Sequence, residues 1–490
     1  MSVRGAALLA MASQMGAFAI QFMASVVLAR WFIAPDELGL FTIAFSFVSL
    51  LAVLQEFGIN RFVAGEPDLD DDKLHTAFTV SLIVSWAIAA LCVLLAWPAA
   101  AFYAMPGLLP LLLVIAASYF FVPLATVPMA LLQRRLDFRS NTIIEVGVVL
   151  ANAAVAITLA WQGWGAMALA WGAFFQQVAR AALSQWRAGW MLPIPPRLAG
   201  AMPVLRFGGF STVLSGLSQL SARLPELLIG RLLDTVAVGL FARAWGLAFQ
   251  LRWLVSGGLA TVFYPAFARF RDRGDPLGPH YERVTASFTA ITWPAMAGLA
   301  ACAMPVVGTL YGERWLGAAR PLEWIALSQI LFIALPLYVE LPILLGRMRP
   351  LLWRFGLDTA ASALLLALGA WFSLEAAAAS RVAYGLVWLA IHAPFLHSVV
   401  GFRWSALARV WLQSALVTGL AVLPVWLSYQ WVAPAAQASF MQVVLAAGLG
   451  VVLWLVGLRQ IRHPAYAEVH HFADHALARL GWRHLVPAPR

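Results

Sequence analysis

Charge is what this sequence is short of. Only 11% of its 490 residues are Asp, Glu, Lys or Arg, while 62% are hydrophobic. An ordinary soluble domain carries roughly 25% charge, so too few solvating groups remain to coat a water-exposed surface. A disordered chain needs high charge and few apolar residues, and the same figures exclude it. Lysine is almost missing: Lys73 stands alone, and the other basic residues are arginine. These arginines sit singly between apolar runs rather than in a patch, which argues against nucleic acid despite a net charge of +10. Cysteine is scarce too. Cys92 and Cys302 both lie inside apolar runs, so neither a disulfide framework nor a thiolate metal site is expected. The ten-residue alternating segments of a membrane barrel are absent. So are a nucleophile–base set, a Gly-rich phosphate loop and an H-E-x-x-H pair, and the chain therefore reads as a non-enzyme without a cofactor. The tail histidines His470, His471 and His475 with Asp474 have metal-like spacing, but an amphipathic helix explains them better.

What the chain has is long apolar runs of the length a hydrocarbon core of ~30 Å demands. Bounded by charges, Pro or Gly, they predict an all-α polytopic membrane protein with fourteen transmembrane helices. The first six lie near 5–32, 38–60, 76–97, 107–131, 141–161 and 165–185. Eight more follow near 205–230, 235–264, 286–310, 321–345, 351–372, 381–400, 406–429 and 439–461. Five prolines crowd 97–131, where the count is least secure. With a cytoplasmic N-terminus, the even-numbered loops, both termini and the span ends that adjoin them hold 24 of the 32 basic residues. The odd loops hold five: Arg30, Arg231, Arg314, Arg320 and Arg381. This is the positive-inside pattern, with both termini cytoplasmic. Trp31, Trp97, Trp161, Trp164 and Trp315 fall at span ends, as an aromatic belt would place them.

The chain also repeats itself. Gly39-Leu40-Phe41 with Ala44 is echoed by Gly239-Leu240-Phe241 with Ala244, and Pro128, Leu131-Leu132 and Arg134 by Pro342, Leu344-Leu345 and Arg347. Two echoes in the same order point to duplication. The expected organisation is two six-helix lobes related as a parallel repeat. Residues 1–190 form the N-lobe, 205–400 the C-lobe, 406–461 two extra helices and 462–490 a cytoplasmic tail.

Three short motifs carry a resemblance. Leu132-Gln133-Arg134-Arg135-Leu136-Asp137-Phe138, Gly239-Leu240-Phe241-x-Arg243-Ala244 and Tyr311-Gly312-Glu313-Arg314-Trp315 resemble polysaccharide-export flippases. These are the Wzx-type, polysaccharide-transporter branch of the multidrug/oligosaccharidyl-lipid/polysaccharide superfamily. The resemblance covers about residues 1–460. It implies a bacterial inner-membrane protein that moves an undecaprenyl-diphosphate-linked oligosaccharide from the cytoplasmic to the periplasmic leaflet, for exopolysaccharide, capsule or O-antigen synthesis. Its implied partners are that lipid, the surrounding membrane lipids and other polysaccharide-assembly membrane proteins. The acidic run Asp68 to Asp72 belongs to no family pattern.

A diphosphate head crossing an oily bundle needs buried cations, and the planar fork of arginine suits phosphate oxygens. Arg223 in span 7, with Arg243 and Arg252 in span 8, lies well inside apolar runs, where each costs about 2.5–3.5 kcal/mol on insertion scales. Arg243 and Arg252 fall on opposite faces of an ideal helix, so lining one cavity together requires a bend in span 8. Polar stripes accompany them: Ser211, Ser215, Gln219, Arg223 and Glu226 on span 7, and Gln14, Gln21 and Ser25 on span 1. Arg223 and Glu226 can also neutralise each other at i,i+3. Trp245 and Trp253 flank the span 8 arginines as platforms for sugar rings. Ion coupling would fall on Glu340, beside Pro342, or on Glu226, although an ion pair with Arg347 explains Glu340 better. Glu56, Glu145 and Asp358 read as local ion pairs of Arg61, Arg139 and Arg354. A drug or cation antiporter of the same superfamily is the alternative, but it predicts acidic central groups. A membrane polymerase or ligase would need a large periplasmic loop, which the chain lacks.

Overall fold

The computed structural model describes residues 3–55, 63, 69–190 and 201–466. Among them every regular element is helical. The chain opens with α1 (Val3–Val27), continued to Phe32 by a π turn, and α2 (Pro35–Ala52). Pro35 suits the first turn of α2, where a missing N–H costs nothing. The Glu37 carboxylate accepts from the Ala34 N–H at 2.8 Å. The 33-residue α3 (Asp71–Tyr103) begins well before the apolar run. Asp70 caps it by accepting from the Lys73 N–H at 2.7 Å, and Asp71 and Asp72 fill its first turn. Anionic side chains are favoured there by the helix dipole, which gives the acidic run a local purpose.

The proline-rich stretch becomes two helices, α4 (Leu108–Ser118) and α5 (Val122–Arg134), bent by 44° against each other. Next come α6 (Phe138–Trp161), α7 (Ala166–Ala188), α8 (Ala201–Leu232) and α9 (Thr235–Arg273). Asp137 caps α6 through the Ser140 N–H at 3.0 Å and the Ser140 hydroxyl at 2.6 Å. The remaining helices are α10 (Leu277–Ala301), α11 (Ala303–Tyr311), α12 (Ala319–Ile333), α13 (Glu340–Leu344), α14 (Met348–Phe372), α15 (Leu374–Val400), α16 (Trp404–Trp431) and α17 (Phe440–Gln460). The tenth apolar run is thus broken. Residues 334–339 leave the helix, with Leu337 at φ +56°, before the single turn of α13.

Among the described residues, ten helices are long and apolar enough to cross a membrane, and eleven if the bent pair counts as one span. The tail histidines and Glu56 lie outside the described residues. So do the side chains of Ser211 and Ser215.

The chain divides into two compact units, Met1–Ala242 and Arg243–Arg490, with the division falling inside α9. In the first, α6 packs on α7 and α1, and α2 on α8. Two glycines make the closest approach. A Cβ at Gly39 would collide with the Thr235 carbonyl, and one at Gly239 with the Pro35 carbonyl. Small residues let membrane helices approach backbone to backbone, where packing rather than water exclusion drives association. In the second unit, α14 and α15 form a hairpin that also packs on α12, and α16 packs on α10 and α17. Its core gathers Phe267, Tyr281, Phe288, Leu335, Tyr384 and Trp388.

Candidate functional site

In the first unit, the expected α8 stripe delivers Arg223 and Glu226 one turn apart. Their nearest charged atoms stand 3.8 Å apart, a loose pair. Glu226 is buried and accepts from the Ser46 hydroxyl of α2 at 2.9 Å. The Arg223 guanidinium lies 5.3 Å from the Phe45 ring centroid. Its Nε is buried without a hydrogen-bond partner among the described residues. The acid is therefore better satisfied than the base. Gln219, one turn earlier, is half-buried, whereas Gln14 and Gln21 on α1 are exposed.

In the second unit, α9 runs unbroken past Arg243 and Arg252, and the two arginines meet different partners. Arg243 stacks over Tyr311 at 4.7 Å and Trp315 at 4.9 Å, uniting two of the sequence motifs in one cation–aromatic cluster. Trp315 is consequently buried, unlike Trp31, Trp97, Trp161 and Trp164, which are exposed as an aromatic belt requires. Arg252 donates from Nη1 to Gln329 Oε1 of α12 at 3.0 Å, with its guanidinium 5.6 Å from the Phe249 ring. The Trp253 ring lies beside Gly257. The Trp245 ring holds the Arg381 guanidinium at 5.4 Å.

Arg381 corrects the sequence reading. It was assigned to an outside loop, yet it stands two turns inside α15, 4% exposed, and donates from Nη1 to Ser362 Oγ at 2.7 Å. The preceding Glu375 to Ser380 looked loop-like, but its alanines are the best helix formers. Ser373 caps that turn by accepting from the Ala376 N–H at 3.0 Å. Two acids also change partners. Asp358 engages His392, not Arg354, with 2.8 Å between Oδ2 and Nε2. Arg354 instead donates to the Pro350 carbonyl and lies 4.2 Å from the Phe395 ring centroid. Glu145 takes Arg180 of α7, at 2.6 and 3.2 Å, rather than Arg139. Glu340 opens α13 within electrostatic reach of Tyr338.

The Asp358–His392 pair and Arg381 escaped the sequence reading although a signal existed. Arg381, Tyr384, Trp388 and His392 recur at three-to-four spacing, one face of a helix. An imidazole in the middle of an apolar run belongs with such a face.

Comparison with known proteins gives the family and the fold. A family model described as polysaccharide biosynthesis protein matches residues 27–320. The lipopolysaccharide biosynthesis protein WzxC of Escherichia coli K12 is 25% identical over 291 residues, 59% of each chain. The succinoglycan biosynthesis transport protein ExoT of Rhizobium meliloti 1021 is 24% identical over 324 residues, 65% of this chain and 64% of that one. The matched region thus spans less than two thirds of either relative. Among solved structures, lipid II flippase MurJ in an inward closed conformation superposes with a TM-score of 0.74 at 13% identity. The superposition covers 93% of this chain and 99% of MurJ. At that identity the likeness is one of fold.

Proposed function

The chain belongs to the polysaccharide biosynthesis protein family matched over residues 27–320, and from that premise we propose that it is a flippase for a lipid-linked oligosaccharide. The substrate class is a sugar unit on undecaprenyl diphosphate. The direction is from the cytoplasmic to the periplasmic leaflet of the bacterial inner membrane, by alternating access. What carries the reading is the placement of guanidinium groups within α8 and α9, in a chain with the fold of a lipid flippase. A cation held at membrane depth is costly and marks a functional path, and a diphosphate is a counter-charge that moves.

In this reading fourteen helices cross the membrane. The helices that miss the apolar criterion are α7, α8 and α9, of 23, 32 and 39 residues, each long enough to span. With the eleven apolar spans they make fourteen. The lobes would be 1–190 and 205–400, followed by the helices of 406–461 and a cytoplasmic tail.

Arg252 and Arg223 would bind the diphosphate, with Arg243 adding its charge from its aromatic seat. Gln219, Gln14 and Gln21 would hydrogen-bond the head, and Trp245 and Trp253 would flank the sugars. Glu226 and Glu340 are the carboxylates at which a coupling ion would act. Other polysaccharide-assembly membrane proteins would be its neighbours in the pathway.

Arg252→Ala tests the proposal. Reconstituted with a lipid-diphosphate oligosaccharide, the wild type should expose the head on the far leaflet, while the variant, folded and inserted, should not. Full translocation by Arg252→Ala would remove Arg252 from the site, and none by the wild type would overturn the function.

A further inference from the structure

The α14–α15 hairpin buries a row of polar groups that the substrate site does not use. From α14 come Asp358, 2% exposed, and Ser362; from α15 come His392, fully buried, and Arg381. His392 Nε2 lies 2.8 Å from Asp358 Oδ2. Around the imidazole stand Tyr338 at 5.2 Å, Trp388 at 5.2 Å and Phe355 at 6.2 Å between ring centroids. Two of the row's nitrogens, His392 Nδ1 and Arg381 Nε, are buried with no hydrogen-bond partner among the described residues. Apolar packing alone would not keep such groups, because unpaired polar atoms are costly at this depth.

The backbone supports the same point. Residues 334–339 leave the helix between α12 and α13 and bring Tyr338 to the imidazole, while Trp411 donates to the freed Ala334 carbonyl at 3.1 Å. Broken helices at membrane depth are tolerated where they are enclosed by protein, and transporters use them to build ion sites.

The charges close simply. With His392 neutral, Asp358 and Arg381 balance; with His392 protonated, the row carries one positive charge, and imidazolium and guanidinium compete for one carboxylate. Arg381 also stacks on Trp245, so that competition reaches α9, which bears Arg252. We propose that His392 and Asp358 form a proton-binding pair whose state Arg381 and Trp245 pass on to α9. Other titratable and charged groups surround the pair. They are Tyr338 in the broken segment, with Glu340 and Arg252 in electrostatic reach of it, and Tyr384 on α15 against Arg381. From α12 comes uncharged Gln329, held by Arg252. None of the acids among them is bonded to the imidazole, which leaves Asp358 as its carboxylate. Imidazole is the side chain whose ordinary titration falls between pH 5 and 8.

The proposal rests on the transporter reading, and two measurements separate the two. The first uses the full-length protein in detergent. An imidazolium quenches a neighbouring indole, so tryptophan emission should fall with pH in the wild type. That change should vanish in His392→Gln, which keeps a donor for Asp358, and in Trp388→Phe. The second uses proteoliposomes. The ratio of translocation rates with and without a pH gradient should be several-fold in the wild type and fall to one in His392→Gln. Arg381→Lys should keep the fluorescence change but lose most of the rate response, because lysine cannot stack as guanidinium does. A titration that persists in His392→Gln overturns the proton site. So does a rate that follows a sodium gradient at constant pH and loses it in Asp358→Asn. If the wild type fails to translocate the lipid, the flippase reading falls while the titration still reports on the pair.

Discussion

The planar guanidinium of Arg243 lies against two rings, and its replacement should be felt in stability before transport. Arg243→Lys keeps the charge but gives up the flat contact with Tyr311 and Trp315. A desolvated cation–π contact is worth about 2 kcal/mol, so the detergent-solubilised variant should unfold at a measurably lower temperature. Asp137 gives a pH-dependent counterpart outside the spans. Hydrogen bonds from Ser140, hydroxyl first and then backbone N–H, hold its carboxyl below the usual carboxylate range. A depressed acid stabilises the fold above its unfolded pKa of ~4, and that contribution disappears as pH falls through the folded value. The melting-temperature gap between wild type and Asp137→Ala should therefore narrow as pH drops from 6 towards 3. A constant gap would show that the charge plays no part. At this scale the sequence reveals solitary charges well and their partners poorly. Arg252 is conspicuous in an apolar run, but Gln329 is 77 residues away. His392 finds Asp358 34 residues back, a distance only the folded hairpin closes.

Helices were legible wherever an apolar run was uninterrupted, as for α6, α14, α16 and α17. The bend between α4 and α5 was foreshadowed by its prolines. The break at 334–339 was not, because Pro336 and Pro342 sit among apolar residues and the hydropathy never drops. Ends were harder still. The α3 start precedes its apolar run because Asp70 caps it, and the α15 start precedes its own because Ser373 does. The α2–α9 crossing makes a prediction for elements rather than residues. Gly39→Ala or Gly239→Ala places a methyl group against a carbonyl that cannot retreat without its helix. Overpacking of this kind costs about 1–3 kcal/mol, and both variants should reach the membrane in reduced amount. Gly246→Ala, with open space around the new methyl, should match the wild type. Equal levels for all three would mean that the crossing yields.

For the molecule as a whole, scarcity of charge announced a membrane protein, and three short motifs the family. The sugar stayed illegible, because hydroxyl recognition uses scattered polar groups that leave no spacing behind. The orientation expected from the arginine distribution, with Arg381 now subtracted from the outside loops, has both termini in the cytoplasm. Reporter fusions that signal only in the cytoplasm should be active at both the N- and the C-terminus, and a periplasmic signal at either would reverse the topology. One consequence of the Gly39–Gly239 crossing concerns the history of the chain. The colliding positions are separated by the same interval on both sides, 39 from 239 and 35 from 235, so each glycine shelters beneath its counterpart's carbonyl. Neither codon is therefore free to drift on its own, because any side chain acquired at one glycine displaces the backbone that covers the other.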